Sequence, residues 1–110
     1  MEKAVYELHA DICRILSHAK RLEILNTLRD KEMSVAELKK LTGLAKANLS
    51  QHLAVLRQRK IVTTRRRGVN IYYRIANLKV IEACDLMREV LYEQLTEDGK
   101  LAERVRTKKR

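Results

Sequence analysis

The 110-residue sequence contains no proline, no tryptophan and no phenylalanine, and only 3 glycines. Proline and glycine are the residues that most disfavour helices, so their scarcity biases the chain towards helix. Hydrophobic residues make up 45% of the sequence, which is enough for the core of one small domain. We therefore expect a single, mostly helical domain over residues 1–110.

Long apolar runs are absent as well. No stretch reaches the roughly 18 apolar residues of a membrane-spanning helix. The amino-terminal segment carries Glu2 and Glu7 and lacks the apolar core of a secretory signal. We therefore expect a cytoplasmic protein without a membrane partner.

The signatures of enzymes and of metal or disulfide scaffolds are missing too. The 2 cysteines, Cys13 and Cys84, are too few for a disulfide framework and too far apart for a zinc ribbon. The 3 histidines, His9, His18 and His52, lack the spacing of a catalytic triad or an HExxH site, and no glycine-rich phosphate loop is present. We therefore expect neither an enzyme nor a bound cofactor.

Positive charge is what the sequence has in excess. Lys and Arg outnumber Asp and Glu by 24 to 14, which gives a formal net charge of +10 and an isoelectric point near 10.0. Such a balance indicates a polyanionic partner, either nucleic acid or an anionic membrane surface. Nucleic acid is favoured, and a basic thermophilic protein without such a partner is the alternative.

Residues 45–60 form the stretch most typical of DNA recognition. Leu49, Leu53 and Leu56 are spaced by four and three, which places them on one side of a helix, facing a core. The opposite side combines small polar groups, which read base edges, with basic groups, which hold phosphates. An ordinary amphipathic helix with a solvated face is the alternative. The DNA contacts predicted from this face are Lys46, Asn48, Ser50, Gln51 and Arg57.

The segment before this helix predicts a helix-turn-helix over residues 34–60. Ser34 and Glu37 have the spacing of a capping box, in which each side chain pairs with the other residue's backbone amide. Gly43 stands where a left-handed residue would end the short helix that this box opens. A short helix, a tight glycine turn and a longer helix with polar outer residues are typical of the motif.

The periodicity then changes to that of a β-hairpin over residues 61–75. Residues 61–64 and 71–75 are β-branched and aromatic, and the basic segment 65–70 lies between them. A hairpin beside a recognition helix is a wing, which reaches backbone phosphates or an adjacent minor groove. A solvated turn is the alternative. The DNA contacts predicted at the wing are Arg65, Arg66 and Arg67.

Helices are predicted at both ends of the chain, over residues 2–16 and 77–98. Their apolar faces are broader than helices packed within one small domain require, so we expect them to form the interface of a dimer. Simple partial exposure of these faces is the alternative. A basic tail follows at residues 99–110. The residues predicted in the interface are Val5, Leu8, Ile12, Val80, Met87, Val90 and Leu91.

Four segments together resemble the ArsR-type winged helix-turn-helix repressors: HAKRLEIL at 18–25, SVAEL at 34–38, NLSQHLAVLR at 48–57, and the wing at 67–73. The resemblance covers most of the chain and implies an α+β, mostly helical fold with a two-stranded wing. It implies a homodimer joined by its first and last helices, a Ser-Gln-His helix in the major groove of operator DNA, and an inducer that releases the operator.

The same resemblance assigns the recognition positions to Asn48, Ser50, Gln51 and His52. His52 lies only about 60° from Leu49 around the helix, so a half-buried contact or a phosphate donor is the alternative role for this residue. Ala45 and Ala47 replace the polar cap and the proline that often open the recognition helix of the family, which predicts a less firmly fixed helix end.

Two metal sites known in the family are missing from this sequence. Met33-Ser34-Val35 stands where the arsenic-sensing members have Cys-Val-Cys, and no histidine follows His52 to build a site on the last helix. What remains for sensing is Cys13 and Cys84, which could form a reversible disulfide or polysulfide link, or bind a soft metal together with His9. The alternative is that both cysteines are small packing residues.

These observations predict a cytoplasmic, homodimeric, sequence-specific repressor that binds double-stranded operator DNA and responds to an inducer, with thiol chemistry at Cys13 and Cys84 as the candidate mechanism. Three other classes stay open: a soft-metal-responsive repressor, an architectural protein that binds DNA by charge alone, and an enzyme acting on nucleic acid. The architectural protein would show little preference between sequences, and the enzyme would need acidic or metal-binding clusters.

Overall fold

The computed structural model describes residues 2–97 and Gly99. These residues form five helices and three strands within the described part of the chain. The predicted basic tail, apart from Gly99, lies outside the described residues, as does residue 98 of the last predicted helix. The elements are α1 (Lys3–Leu16), α2 (Ala19–Leu28), β1 (Met33–Ser34), α3 (Val35–Thr42), α4 (Lys46–Gln58), β2 (Val62–Arg67), β3 (Asn70–Ile75) and α5 (Lys79–Glu97).

The chain divides into two compact units, one up to Val80 and one from Ile81 onward. The first unit contains α1 to α4 and the small sheet, and its core consists of aliphatic side chains from α2, α3, α4 and the strands. The three leucines that the spacing placed on the inner side of α4 are fully buried, as predicted. The fully buried residues of this unit are Ile24, Leu25, Leu28, Leu38, Leu49, Leu53, Leu56 and Val62.

The helix-turn-helix is built by local hydrogen bonds that the sequence predicted. The Glu37 amide donates to Ser34 Oγ at 3.2 Å, and the Ser34 amide donates to Glu37 Oε1 at 3.0 Å, so the capping box is present. Gly43 adopts φ 73°, in the left-handed region, and its amide donates to the Lys39 carbonyl at 2.8 Å. This turn ends α3 and leaves only three residues before α4 begins at Lys46.

The wing is an antiparallel pair of strands that runs in register from Val62 opposite Ile75 to Arg67 opposite Asn70. The turn therefore contains only Gly68 and Val69, whereas the sequence analysis placed all of 65–70 between the strands. Gly68 adopts φ 63°, and a glycine first in a two-residue turn is typical of the tight hairpins that match strand twist. The arginines consequently belong to β2 itself.

A third strand, β1, was not predicted from the sequence. It is only two residues long and pairs antiparallel with β3, Met33 lying opposite Tyr73, in a sheet of order β1-β3-β2. This strand connects the helix-turn-helix directly to the wing, because Ser34 also caps α3. The sheet therefore fixes the wing relative to α3.

Helix α1 has no buried residue along its whole length. Three of the residues predicted in a dimer interface, Val5, Leu8 and Ile12, are exposed, and Leu8 is 63% exposed. Helix α5 likewise exposes apolar side chains, with Met87 69% exposed. Each of these helices therefore carries an apolar face that is open to solvent in a single chain.

Candidate nucleic-acid interface

Helix α4 presents a polar outer face because its leucines are buried. Asn48, Ser50 and Gln51 are all exposed on this face, and Lys46 and Arg57 are exposed at its two ends. The N-cap residue of the helix is Ala45, which offers no side-chain cap, in line with the departure noted in the sequence. The arrangement places amide and hydroxyl groups between two cations, which suits base edges flanked by phosphates.

His52 lies differently from the other three recognition positions, Asn48, Ser50 and Gln51. It is half-buried, and its Nδ1 accepts a hydrogen bond of 3.1 Å from Arg21 Nε of α2. The His18 ring stands 6.3 Å away, measured between ring centroids. Burial lowers the pKa of His52, and the positive charges of Arg21, His18 and Lys20 lower it further. Neutral imidazole is therefore the favoured form.

We expect the free energy of unfolding to decrease as the pH falls through 6.5 towards the lower pKa of folded His52. The unfolded chain takes up a proton at the ordinary histidine pKa of 6.5, whereas folded His52 takes it up only at lower pH. The folded state therefore loses stability once the pH drops below 6.5, and the loss is complete below the folded pKa. Chemical denaturation at several pH values measures this, and His52→Gln should flatten the profile. An equally steep profile in His52→Gln would contradict the assignment.

The three wing arginines that were predicted to contact DNA, Arg65, Arg66 and Arg67, have different surroundings. Arg65 forms an ion pair with Glu32, its Nη2 lying 2.6 Å from Glu32 Oε1. This hydrogen bond lowers the pKa of Glu32, as do the nearby charges of Arg67 and Arg74. The pair ties the wing to the segment before β1. The sequence did not predict this role of Glu32, because its partner Arg65 lies 33 residues further along the chain.

The other two arginines alternate across the strand. The Arg67 guanidinium lies 5.7 Å from the ring centroid of Tyr72, within cation–π range. Arg66 lies opposite Ile71, and its side chain makes no hydrogen bond or ion pair within residues 2–97. Among the three predicted arginines, Arg66 is therefore the one for which the described residues provide no partner, and its guanidinium is available for a phosphate.

A groove of roughly 500 Å³ lies between α3, the start of α4 and the wing. Lys46, which the sequence predicted, shares this groove with Asn70 and Tyr73 of β3. Lys39 of α3 also lines it and was not predicted, although its position on the helix before the recognition helix could have indicated it. The groove brings two lysines to one side of the wing, an arrangement suited to a sugar-phosphate strand.

The two sensing candidates, Cys13 and Cys84, belong to different units of the chain. Cys13 is exposed on α1, one helical turn after the exposed His9. Cys84 is half-buried on α5, and burial raises the pKa of its thiol. Among the residues that the structure describes, no group of three or more His, Cys, Asp or Glu side chains could hold a metal ion.

Within the same described ranges, no helix combines the length and the apolar character needed to cross a membrane. The exposed surfaces of α1 and α5 are amphipathic and interrupted by charged residues.

Comparison with known proteins places these features in a family. Residues 18–64 match the family described as bacterial regulatory protein, arsR family. The biofilm growth-associated repressor of Xylella fastidiosa is 37% identical over 94 residues, which cover 86% of this chain and 82% of that protein. The regulator KmtR of Mycobacterium tuberculosis is 44% identical over 70 residues, covering 64% of this chain and only 54% of that protein. The transcriptional activator HlyU of Vibrio cholerae is 33% identical over 79 residues, or 72% of this chain and 73% of that protein.

Solved structures show the same fold. The crystal structure of Rv0081 from Mycobacterium tuberculosis has a TM-score of 0.77 and 36% identity, and covers 88% of this chain and 98% of that one. A homodimeric winged helix-turn-helix DNA-binding domain from Mycobacterium bovis has a TM-score of 0.74 and 32% identity, and covers 84% of this chain and 85% of that one. The predicted winged helix-turn-helix fold is thus confirmed.

Proposed function

Because this chain belongs to the ArsR family of bacterial regulatory proteins, we propose that it is a homodimeric repressor that an inducer releases from operator DNA. Family membership makes it a DNA-binding transcriptional regulator and not an enzyme. The relatives include repressors and one activator, and repression is the proposed direction here. The site of action would be chromosomal DNA in the cytoplasm.

The open polar face of α4 is the observation that carries this proposal. Burial of Leu49, Leu53 and Leu56 fixes the rotation of the helix, so Asn48 and Gln51 point away from the core. We assign base recognition to these two residues together with Ser50. Phosphate contacts are assigned to Lys46, Arg57 and Arg66, while Arg65 and Arg67 are held by Glu32 and Tyr72 at the edge of the interface.

The proposed organisation follows the elements. Residues 34–60 would form the helix-turn-helix, 61–75 the wing, and 2–16 and 77–98 the dimerisation helices, with 99–110 as a basic tail, all in one domain of 110 residues. Support for the dimer comes from the exposed apolar faces of α1 and α5 and from the homodimeric relative. A partner protomer would cover those faces.

Asn48→Ala and Gln51→Ala should each cost about 1 to 3 kcal/mol on the preferred operator and little on random DNA, because they remove base contacts. Arg66→Ala should weaken binding to both the operator and random DNA, because it removes a phosphate contact. It should also lower the salt slope, which is the decrease of log affinity with log salt concentration, by about one unit. A duplex selected by the protein from a random pool serves as operator, and affinities are measured over a range of salt concentrations.

Lys3→Ala is the matched control for charge, because it removes one cation from the exposed start of α1. It should leave both affinities close to those of the parent protein. If all three interface variants weakened operator and random DNA equally, α4 would not be the recognition element. A selection that enriches no sequence would favour an architectural protein that binds DNA by charge.

We further propose that the inducer acts on Cys13 and Cys84. Joining two thiols in a disulfide releases two protons and two electrons, which an oxidant or a polysulfide accepts. The exposed Cys13 would react first, because burial keeps the Cys84 thiol protonated. A covalent link at the dimerisation helices would move the two recognition helices off half-sites that lie about 34 to 36 Å apart.

Mild oxidant or polysulfide should therefore weaken operator binding, and reductant should restore it. Cys13→Ser and Cys84→Ser should each bind the operator but lose the response. A soft metal held with His9 is the competing inducer, and reversal by a chelator in place of reductant would identify it. A parent protein with the same operator affinity when oxidised and reduced would leave both cysteines as packing residues.

A further inference from the structure

One side chain of α2 joins three helices of the first unit. Arg21 donates from Nη1 to the carbonyl oxygen of Ile15, in the last turn of α1, and from Nε to Nδ1 of His52 on α4, both at 3.1 Å. Both bonds are partly buried. The recognition helix is therefore attached to α1 and α2 through one guanidinium.

This contact determines where the His52 imidazole carries its hydrogen. Arginine stays protonated and has donors only, so Nδ1 of His52 must act as the acceptor. A neutral imidazole with Nδ1 as acceptor carries its hydrogen on Nε2. Arg21 thus fixes both the tautomer and the ring orientation of His52.

The second ring nitrogen remains free to donate. Nε2 of His52 makes no hydrogen bond within residues 2–97, and no buried side-chain nitrogen or oxygen there lacks a partner, so Nε2 reaches solvent. His52 follows the exposed Asn48 by one helical turn and so lies beside the proposed base-reading face. Arg21 and Lys20 carry positive charge near the ring, beside the titratable His18, and positive charge attracts phosphate.

We propose that Arg21 is a positioning residue that holds His52 as an Nε2–H donor to a DNA phosphate. The inference rests on the proposed function and extends it by assigning a residue that does not itself lie on α4. At neutral pH the donor is uncharged, so the contact adds affinity for operator and random DNA alike without adding to the salt slope. This distinguishes His52 from Arg66, whose loss lowers the slope.

The two amide analogues of histidine separate the roles of the ring nitrogens. Gln places its amide nitrogen near the position of Nε2, whereas Asn reaches only the position of Nδ1. We expect His52→Asn to bind the selected operator roughly tenfold more weakly than His52→Gln does, with the same salt slope for both variants. Thermal melting of each variant verifies that it folds. Equal binding by the two folded variants would overturn the phosphate contact.

Arg21 is tested through His52 in a double-mutant cycle. Arg21→Met removes both donors and should weaken operator binding in the parent, but much less in the His52→Gln background, where no tautomer has to be fixed. Arg21→Lys keeps the positive charge but not the planar geometry of the guanidinium. Its operator affinity should therefore fall between those of the parent and Arg21→Met. An equal loss in both backgrounds would show that Arg21 acts independently of His52 and would overturn the proposal.

Nitrogen-15 chemical shifts of the imidazole supply a readout that needs no DNA. The full-length parent should show His52 as the Nε2–H tautomer, and Arg21→Met should show a mixture. A parent with hydrogen on Nδ1 would refute the inference while leaving the proposed function intact. A protein that selects no operator would instead refute the proposed function, whatever the tautomer.

Discussion

Replacement of Leu8 by glutamate is expected to lower operator affinity by about 10²- to 10⁴-fold, because a monomer holds one half-site where a dimer holds two. Leu8 is 63% exposed in a single chain and lies between Val5 and Ile12 on the apolar face of α1. Placing a carboxylate in a covered apolar interface costs several kcal/mol of desolvation. The variant should therefore separate into folded monomers, which light scattering detects.

Ala10→Glu is the matched control, because it adds the same carboxylate to the same helix. Ala10 is exposed and lies about 200° around α1 from Leu8. It should leave both the molecular mass and the operator affinity unchanged. Binding to a duplex with only one half-site should be the same for Leu8→Glu and the parent. A Leu8→Glu protein that stays dimeric would show that α1 does not form the interface.

Local patterns in the sequence were sufficient to predict the helices that carry the candidate DNA-binding site. Three leucines at spacings of four and three fixed which side of α4 faces inward, and their complete burial confirms that orientation. The Ser34 and Glu37 pair and Gly43 predicted the start and end of α3 for the same reason. In each case the interacting groups lie within a few residues of one another, so the sequence alone contains the geometry.

Those local patterns could not predict contacts between residues that are far apart in the sequence. No local pattern predicted a role for Glu32, whereas in the structure it forms an ion pair with Arg65 of the wing. His52 stands at an angle intermediate between the inner and outer faces of α4, and the sequence left its role open because Arg21, 31 residues earlier, decides it. Both contacts depend on tertiary packing, which brings together residues that no periodicity relates.

Leu53→Ala is expected to lower the free energy of unfolding by about 2 to 5 kcal/mol. Leu53 is fully buried, between Leu49 and Leu56 along the inner side of α4. Removing its three outer carbons loses their transfer free energy and leaves a cavity that the neighbouring leucines fill only in part. A small protein has only about 5 to 15 kcal/mol of stability, so this one change removes a large share of it.

Chemical denaturation at one fixed protein concentration measures the effect, because the stability of a dimer depends on concentration. Gln58→Ala is the matched control at the exposed end of the same helix, and it should change the free energy by no more than about 0.5 kcal/mol. The folded fraction of Leu53→Ala should still prefer the operator, since Asn48 and Gln51 are intact. If Leu53→Ala were as stable as Gln58→Ala, α4 would not rest on this core, and the outward orientation of its recognition residues would be wrong.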